Sequence, residues 1–344
     1  MSRTESVDVL RTLAIVAVIV IHTTPFETES SPIGQGLNLA TAINQAARFA
    51  VPFFFVVSGY FWANKLKDGA EIIEPTVRMA RRIALLFVAW SMIYLLPMNI
   101  ADSFSYGAIG PIKVVYWNLA NAAANPLETL MQGTKVHLWF LIALLCSLII
   151  SAAMIRFGLI RLLVLVAVVL YLTGLAGKAY RDTPIGFHMD FNFRNGPFFS
   201  LIFFVTGYFL HRSKPSSQWL LIGGLLFFLG ALLHFTELLV LNHMWRTTLD
   251  QDYVLGTYFF GTGAALIALS SSRWLHIRRA ASIGPLVLGI YTSHFIFVEL
   301  LKPLDRRYTG NAMWEALYVI AVFLLSYMMA TILSSHRLTR RLVV

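Results

Sequence analysis

The chain has 344 residues, of which 58% are hydrophobic and only 13% are charged, and its mean hydropathy is +0.70. This composition excludes a soluble globular protein and predicts an integral membrane protein that crosses the bilayer many times. The net charge of +10 is spread over loops between apolar segments rather than gathered in one patch, so we expect no nucleic-acid partner.

Ten apolar segments follow one another along the chain, and most are long enough to cross about 30 Å of hydrocarbon. They are Val7–Thr24, Ala42–Ala63, Ile83–Ile100, Leu138–Ile155, Ile160–Ala176, Phe198–Leu210, Trp219–Leu241, Tyr253–Ser271, Ile283–Leu301 and Met313–Leu333. These segments predict an all-α polytopic membrane protein with about ten transmembrane helices. No internal repeat or soluble appendage is visible, so we expect residues 1–344 to form a single integral-membrane domain.

The distribution of basic residues predicts the orientation. With the N-terminus inside, cytoplasmic segments hold 17 of the 27 Lys and Arg residues, which places both termini in the cytoplasm. No small-residue cleavage site follows the first segment, so we expect it to remain as a transmembrane helix. Three long outer loops, Pro25–Thr41, Ala101–Val136 and Gly177–Asn195, carry polar and aromatic residues that suit a carbohydrate. Within the second loop, Ile112–Leu130 is expected to form an interfacial amphipathic helix.

The first apolar segment carries two ionisable residues, Arg11 and His22. At about 100° and about 1.5 Å per residue, their spacing of eleven brings them within about 20° of one helix face, about 16 Å apart along the axis. An ionisable residue inside a bilayer is costly and marks a candidate functional site. The alternative is a snorkelling Arg and an interfacial His. Asp8 stands three residues before Arg11, the spacing of a helical ion pair.

Two motifs together indicate a family. The first is an Asp-x-x-Arg element, Asp8 to Arg11, followed after ten intervening residues by His22. The second is Pro-Phe-Phe-Phe-Val-Val-Ser-Gly-Tyr, which runs from Pro52 to Tyr60 in the second segment. The chain resembles the acyltransferase 3 family of membrane O-acyltransferases in both motifs and in its predicted ten spans.

Two further motifs narrow the resemblance. His-Leu-Trp-Phe begins at His137 in the fourth segment, and Gly-Ile-Tyr-Thr-Ser-His ends at His294 in the ninth. Both are similar to the branch that contains the O-acetyltransferase of enterobacterial common antigen. The chain lacks the Trp-Ser-Leu-x-x-Glu element that is commoner in the family at the fourth span, so the acid of that element has no counterpart here.

The resemblance implies a reaction and its partners. It implies transfer of an acyl group, usually acetyl from cytoplasmic acetyl-CoA, to a sugar hydroxyl of a cell-surface polysaccharide or its lipid-linked precursor. The expected partners are the lipid bilayer, the acyl-CoA co-substrate and the glycan acceptor. The expected location is the bacterial inner membrane.

A basic cluster, Arg78-Met-Ala-Arg81-Arg82, stands before the third apolar segment. Guanidinium groups bind phosphates well, so the cluster is a candidate site for the nucleotide end of acetyl-CoA. The family has an Arg-x-x-Arg element here, which Arg78 and Arg81 match in spacing. The register against Ile83 favours Arg82 instead, so all three arginines remain candidates. The alternative is a positive-inside anchor without a ligand.

His22 is the candidate catalytic group. An imidazole near neutral pKa can take the proton of the acceptor hydroxyl as it attacks the thioester. A covalent acyl-imidazole is the competing role, and the sequence leaves both open. By resemblance to the family, Arg11 would orient the site or engage the donor.

Four other residues are candidates for the acceptor side or for supporting the site. His137 and His294 border apolar helices, where a lone His is more often structural. Ser58 belongs to a Ser-Gly step that permits close helix packing, and no base has a spacing that would make it a nucleophile. Arg48 lies near the predicted outer start of the second segment with no acid beside it in the sequence, and it is a candidate for acceptor or site binding.

Metal chemistry and transport are the remaining alternatives. His234 and Glu237 share a helix face, but no His-Glu-x-x-His or Cys-x-x-Cys element occurs, so we expect no metal. A transporter or exporter of a glycan or small molecule would also use many spans and buried charges. The two corresponding halves that are typical of transporters are not visible in this sequence.

Overall fold

The computed structural model describes residues 5–27, 36–66, 72–213 and 218–343. Over these ranges the chain forms fifteen α-helices and no strand, which confirms the all-α class for the described residues. The helices are α1 (Glu5–Thr23), α2 (Leu39–Ala46), α3 (Ala50–Ala63), α4 (Ile73–Ile93), α5 (Ile100–Phe104), α6 (Gly110–Ala124), α7 (Pro126–Gln132), α8 (Trp139–Arg156), α9 (Ile160–Ala176), α10 (Pro197–Arg212), α11 (Gln218–Trp245), α12 (Leu255–Leu269), α13 (Arg278–Ile283), α14 (Val287–Tyr308) and α15 (Ala312–Ser335). Residues 28–35 of the first predicted outer loop lie outside the described ranges.

Every predicted span coincides with a helix, but not all of these helices are equally long and apolar. Six helical segments of the described chain have the length and composition to cross a membrane. They are Glu5–Thr23, Leu39–Ala63, Val136–Arg156, Gln218–Trp245, Arg278–Tyr308 and Ala312–Ser335. The protein is therefore a multi-pass membrane protein, while the count of ten spans and the cytoplasmic termini stay predictions.

The third span differs from its predicted bounds. Hydropathy places it at Ile83–Ile100, whereas α4 begins at Ile73 and ends at Ile93. Backbone hydrogen bonding continues through the polar first turns, which hydropathy does not detect. The Trp62 indole nitrogen donates to the Thr76 hydroxyl over 3.1 Å and ties these turns to α3. The arginine cluster therefore lies inside a helix rather than before one.

The predicted interfacial helix Ile112–Leu130 is two helices in the structure. α6 ends at Ala124 and α7 begins at Pro126. The intervening Asn125 has an extended φ of −121°, as expected of a residue before proline. The placement of α6 at a membrane interface stays a prediction.

The bundle is organised around α3, which packs against α1, α8, α10 and α12. Gly59 and Gly207 set the contact between α3 and α10. A Cβ atom at Gly59 would lie 2.1 Å from the Phe204 carbonyl oxygen, and one at Gly207 would lie 1.9 Å from the Val56 carbonyl oxygen. The two backbones therefore meet because neither glycine has a side chain, which confirms the packing role predicted for the Ser-Gly step.

The outer helices present apolar side chains away from the bundle. Leu165 and Leu172 on α9 and Leu221 and Phe228 on α11 are all more than half exposed. Such continuous apolar surface is typical of helices that face lipid. The polar and ionisable residues of the candidate site lie inside this apolar ring.

Candidate active site

A cavity of about 430 Å³ runs between α1, α3, α4, α8 and the start of α14. Arg11, Lys65 and Arg82 line one part of it, which we call the basic end. His22 and His137 line another part. Arg11 and His22 lie on the same cavity, as their spacing of eleven residues predicts, and the helix rise separates them by about 16 Å.

The residues of α3 that face the cavity follow the period of a helix. Val51, Phe54, Ser58, Phe61 and Lys65 recur every three or four positions and all line its wall. Ser58 lies in the middle of this row. The hydroxyl of Ser58 is therefore part of the cavity wall, halfway between its two ends.

Positive charge is concentrated at the basic end. Arg11 pairs with Asp8 over 3.2 Å, as the i,i+3 spacing predicts, and its guanidinium lies 5.2 Å from the centre of the Phe61 ring. Desolvation and the nearby charges of Arg82 and Arg78 lower the pKa of Lys65. Arg11 and Arg78 each have an acidic partner, whereas Lys65 and Arg82 pair with no carboxylate of the described residues, so part of the positive charge here is not neutralised. The basic end therefore favours an anionic ligand.

Three histidines from different helices meet at the other part of the cavity. The ring centre of His22 lies 5.3 Å from that of His294 and 6.4 Å from that of His137. The rings of His137 and His294 are 5.0 Å apart, and His137 stacks on Phe295. Residues that are 115 and 272 positions from His22 in the sequence thus form one cluster with it.

The protonation of His294 follows from its hydrogen bond. Its Nδ1 lies 2.6 Å from the Tyr291 carbonyl oxygen, which can only accept, so Nδ1 carries the hydrogen and Nε2 carries the lone pair. His294 Nε2 and both ring nitrogens of His137 are buried without a hydrogen-bond partner. Unpartnered buried nitrogens are rare in proteins and are typical of sites that bind a polar group. The cluster can therefore accept or donate hydrogen bonds to a substrate.

The arginine cluster divides between two surfaces. Arg82 lines the cavity, whereas Arg78 and Arg81 face an adjoining groove of about 1220 Å³ that Arg82 also lines. Arg78 pairs with Glu74 on the same helix. Of the three candidates, Arg82 alone reaches both spaces, which agrees with the register argument made from Ile83.

Arg48 corrects one expectation. The sequence places no acid beside it, but in the structure its guanidinium pairs with Asp250 over 2.8 Å and with Asp252 over 3.1 Å. Both acids precede α12 and are some two hundred residues away in the chain, so no local signal reveals them. The Nε of Arg48 also donates to Asn44, whose amide donates to the carbonyl of Ile21. Arg48 is therefore linked to the end of α1, next to His22.

Asp252 pairs with cations from two parts of the chain, the turn before α3 and the loop between α9 and α10. Besides Arg48, it pairs with Lys178 over 2.8 Å and with Arg194 over 3.0 Å. Burial by itself would raise the pKa of Asp252, but the charges of Arg194, Lys178 and Arg48 outweigh it and hold that pKa well below its usual range. We call this group, Arg48, Lys178, Arg194, Asp250 and Asp252, the ion-paired end. The sequence analysis did not identify four of its five members, because they come from separate loops.

The ion-paired end adjoins the cavity through an aromatic contact. The guanidinium of Arg194 lies 4.8 Å from the centre of the Trp139 ring, and Trp139 lines the cavity. Such a stacked cation is favourable when it is partly desolvated. The loops of the ion-paired end thus border the histidine cluster.

The pair His234 and Glu237 is structural. The ring nitrogens of His234 lie 2.9 Å from the Thr257 hydroxyl and 3.0 Å from the Gln45 side-chain oxygen. Glu237 accepts from the backbone N–H groups of Leu255 and Gly256, which begin α12. In the part of the chain that the structure describes, no group of three or more His, Cys, Asp or Glu residues has the arrangement of a metal site.

Comparison with known proteins finds distant relatives that are named as racemases. The chain is 27% identical over 228 residues and 23% identical over 319 residues to two proteins named amino-acid racemase from Enterococcus faecalis. It is 28% identical over 248 residues to a serine/alanine racemase from Enterococcus gallinarum. These alignments cover 62%, 88% and 67% of this chain but only 29%, 42% and 32% of the relatives. The names describe proteins of which the chain spans less than half, so they assign no racemase activity to it.

The family comparison covers nearly the whole chain. Residues 4–331 match the family described as an acyltransferase domain, Acyl_transf_3. No solved structure matches the chain. The narrower resemblance to the common-antigen branch stays a prediction. The match extends over the histidine cluster, the basic end and the ion-paired end, and the chain therefore belongs to the acyltransferase 3 family of membrane acyltransferases.

Proposed function

We propose that this protein is an O-acetyltransferase that moves acetyl from acetyl-CoA to a sugar hydroxyl of a cell-surface polysaccharide or its lipid-linked precursor. The observation that carries the proposal is the single cavity that joins the basic end to His22 and His137. An anionic donor suits one part of this cavity, and a proton acceptor lies in the other. The positive-inside distribution supports placing the basic end on the cytoplasmic side of a bacterial inner membrane, where acetyl-CoA is present.

His22 handles the proton in the direct form of the reaction. The acceptor oxygen attacks the thioester carbon, the new C–O bond forms and the C–S bond breaks. The hydroxyl proton passes to a ring nitrogen of His22 and then to the departing thiolate of CoA. His294 Nε2, which carries a lone pair beside His22, accepts a hydrogen bond from a second hydroxyl of the acceptor sugar and orients the sugar.

The covalent route uses the same cavity. In that route the acetyl group passes first to His22 and then to the sugar. Incubating the purified protein with labelled acetyl-CoA and no acceptor distinguishes the two routes. Label that stays on the wild-type protein but not on His22→Ala supports the covalent route, and an unlabelled protein that still transfers supports the direct one.

Arg11 acts on the donor rather than on the reacting atoms. Its position at the basic end, about 16 Å along α1 from His22, keeps it away from the histidine cluster. With Lys65 and Arg82 it attracts the phosphates of the donor. Arg48, by contrast, positions the end of α1 and borders the acceptor side through Asn44.

The proposal is tested by transfer of radiolabelled acetyl from acetyl-CoA to glycan in membranes that contain the wild type or His22→Ala at equal expression. We expect label in saccharide with the wild type and a loss of about 10²-fold or more with the variant. Equal label with both proteins would contradict a catalytic role for His22. No label in either would contradict the acetyl-CoA reaction and favour a transporter.

A further inference from the structure

The groove beside the active-site cavity is lined by more arginines than the cavity itself. Its volume is about 1220 Å³, and α4, the end of α8 and the last turn of the chain form its walls. Five arginines line it: Arg78, Arg81, Arg82, Arg156 and Arg341. Among the described residues that line it, Glu74 is the one acid. The groove and the cavity share Arg82, so the two spaces adjoin there.

Most of these arginines have no acidic partner. Glu74 pairs with Arg78, whereas Arg81, Arg82, Arg156 and Arg341 form no ion pair with any described carboxylate. Four neighbouring guanidinium groups without counter-charge repel one another and attract anions. Guanidinium groups bind phosphate oxygens through paired N–H donors, so several phosphates are the anions that fit best.

Arg341 is held in the groove by a folded C-terminal segment. The Trp90 indole nitrogen donates to the Leu342 carbonyl over 3.0 Å. The next residue, Val343, is fully buried, and a Cβ atom at Gly289 would lie 2.7 Å from its Cβ. The Thr339 hydroxyl donates to the Leu333 carbonyl over 2.7 Å. The segment is therefore fixed on both sides of Arg341, which holds the backbone of this exposed arginine beside the groove.

Arg156 reaches the groove from a different helix end. It is the last residue of α8, and the chain then turns through Gly158, whose φ is +72°. This left-handed conformation suits glycine and ends the helix just after Arg156. Arg156 and Arg341 thus approach the arginines of α4 from two independent elements.

We propose that the groove binds the phosphate-bearing nucleotide end of acetyl-CoA, with Arg156 and Arg341 as specificity-determining residues for the 3′-phosphate. This inference rests on the proposed acetyl-CoA reaction and adds residues that the arginine motif of α4 does not include. Arg82 lines both spaces, so at this junction the diphosphate passes from the groove to the basic end, and the thioester arm continues through the cavity toward His22. Apolar groove residues such as Val77, Leu85 and Leu338 form a wall for the purine ring.

Binding is measured with the full chain in nanodiscs of zwitterionic lipid, using acetyl-CoA and its 3′-dephospho form as probes. Arg156→Gln and Arg341→Gln should each weaken acetyl-CoA binding about tenfold, because a charge-assisted contact is lost. They should bind 3′-dephospho-acetyl-CoA as the wild type does. Arg340→Gln is the matched control, since Arg340 is exposed in the same turn but does not line the groove.

The outcomes separate this inference from the proposed function. Acetyl-CoA affinity within twofold of the wild type in both variants, while the wild type transfers acetyl, overturns the inference alone. A wild type that neither binds acetyl-CoA nor transfers acetyl overturns both. If Arg341→Gln fails to fold, Arg341→Lys keeps the charge, and Arg156→Gln provides the same test from another helix.

An anionic phospholipid headgroup presents the same phosphate chemistry and is the other source to exclude. The binding measurement is therefore repeated in nanodiscs that contain phosphatidylglycerol. The proposal expects acetyl-CoA binding to persist in them with a modest loss of affinity. If the two variants lose phosphatidylglycerol binding but keep acetyl-CoA binding, the groove is a lipid site and the proposal is wrong.

Discussion

The basic end of the active-site cavity and the ion-paired end that adjoins the cavity contain similar numbers of cations but arrange them differently. At the ion-paired end, Arg48, Lys178 and Arg194 all contact Asp252 within 3.1 Å. At the basic end, Arg11 pairs with Asp8, but Lys65 and Arg82 have no acid within ion-pairing distance among the described residues. Cations that share a buried carboxylate join loops together, whereas cations without one are available to a ligand. The difference indicates a stabilising role for the ion-paired end and supports the proposed donor binding at the basic end.

The largest effect is expected from removing the shared carboxylate. Asp252→Asn keeps the shape of the side chain but leaves three cations facing one another in a mostly buried site. We expect the free energy of unfolding to fall by about 3 to 5 kcal/mol, which thermal unfolding of the detergent-solubilised protein would measure.

Asp250→Asn is the control for that substitution. The Asp250 side chain is 45% exposed and pairs with Arg48 alone, so its loss should cost about 1 kcal/mol or less. Equal destabilisation by the two variants would contradict the special role of Asp252 and would break the contrast between the two ends.

A smaller and different effect is expected at the basic end. Arg82→Gln should raise the KM for acetyl-CoA about tenfold and leave the unfolding temperature unchanged, since this arginine supplies charge to a ligand and not to a carboxylate. Arg78→Gln should raise the KM by about threefold or less, because Arg78 is exposed and already paired with Glu74. Steady-state kinetics on the same glycan acceptor compares the two. A larger effect of Arg78→Gln, or a loss of stability in Arg82→Gln, would reverse the assignment.

The smallest effect concerns pH. The cations hold the pKa of Asp252 well below its usual range in the folded protein, while the unfolded carboxyl titrates near about 4. Its stabilising contribution is therefore complete above the unfolded pKa and is lost as the pH falls toward the folded one. The stability difference between wild type and Asp252→Asn should change by less than about 0.5 kcal/mol from pH 7 to pH 5. A difference that shrinks in this interval would show that the carboxyl pKa is raised instead.

The sequence predicts relations within a helix better than relations between helices. The shared cavity of Arg11 and His22 follows from the helix period, and the contact between Asp8 and Arg11 follows from their i,i+3 spacing. The predicted start of the third span was wrong. The apolar pattern ends at the arginines before Ile83, whereas the helical hydrogen bonds of α4 begin at Ile73.

Relations between helices needed the folded chain. His137 and His294 were identified as candidates, but their contact with His22 depends on the packing of α1, α8 and α14. Asp252 was missed entirely, because its partners come from the turn before α3 and from the loop between α9 and α10, and their meeting point has no local pattern in the sequence. Long-range ion pairs are the part of this site that periodicity and motifs do not reveal.

The most direct test of a donor path from the basic end to His22 uses Ser58, which lies midway along the cavity wall of α3. The chain has one cysteine, so Ser58→Cys in a Cys146→Ser background places a single thiol in the cavity. The rate of its modification by a small thiol reagent is then measured with and without acetyl-CoA.

The control ligand is 3′-phosphoadenosine 5′-phosphate, which lacks the thioester arm. We predict that saturating acetyl-CoA protects the thiol and that the control ligand does not. An unchanged rate at saturating acetyl-CoA would contradict the path.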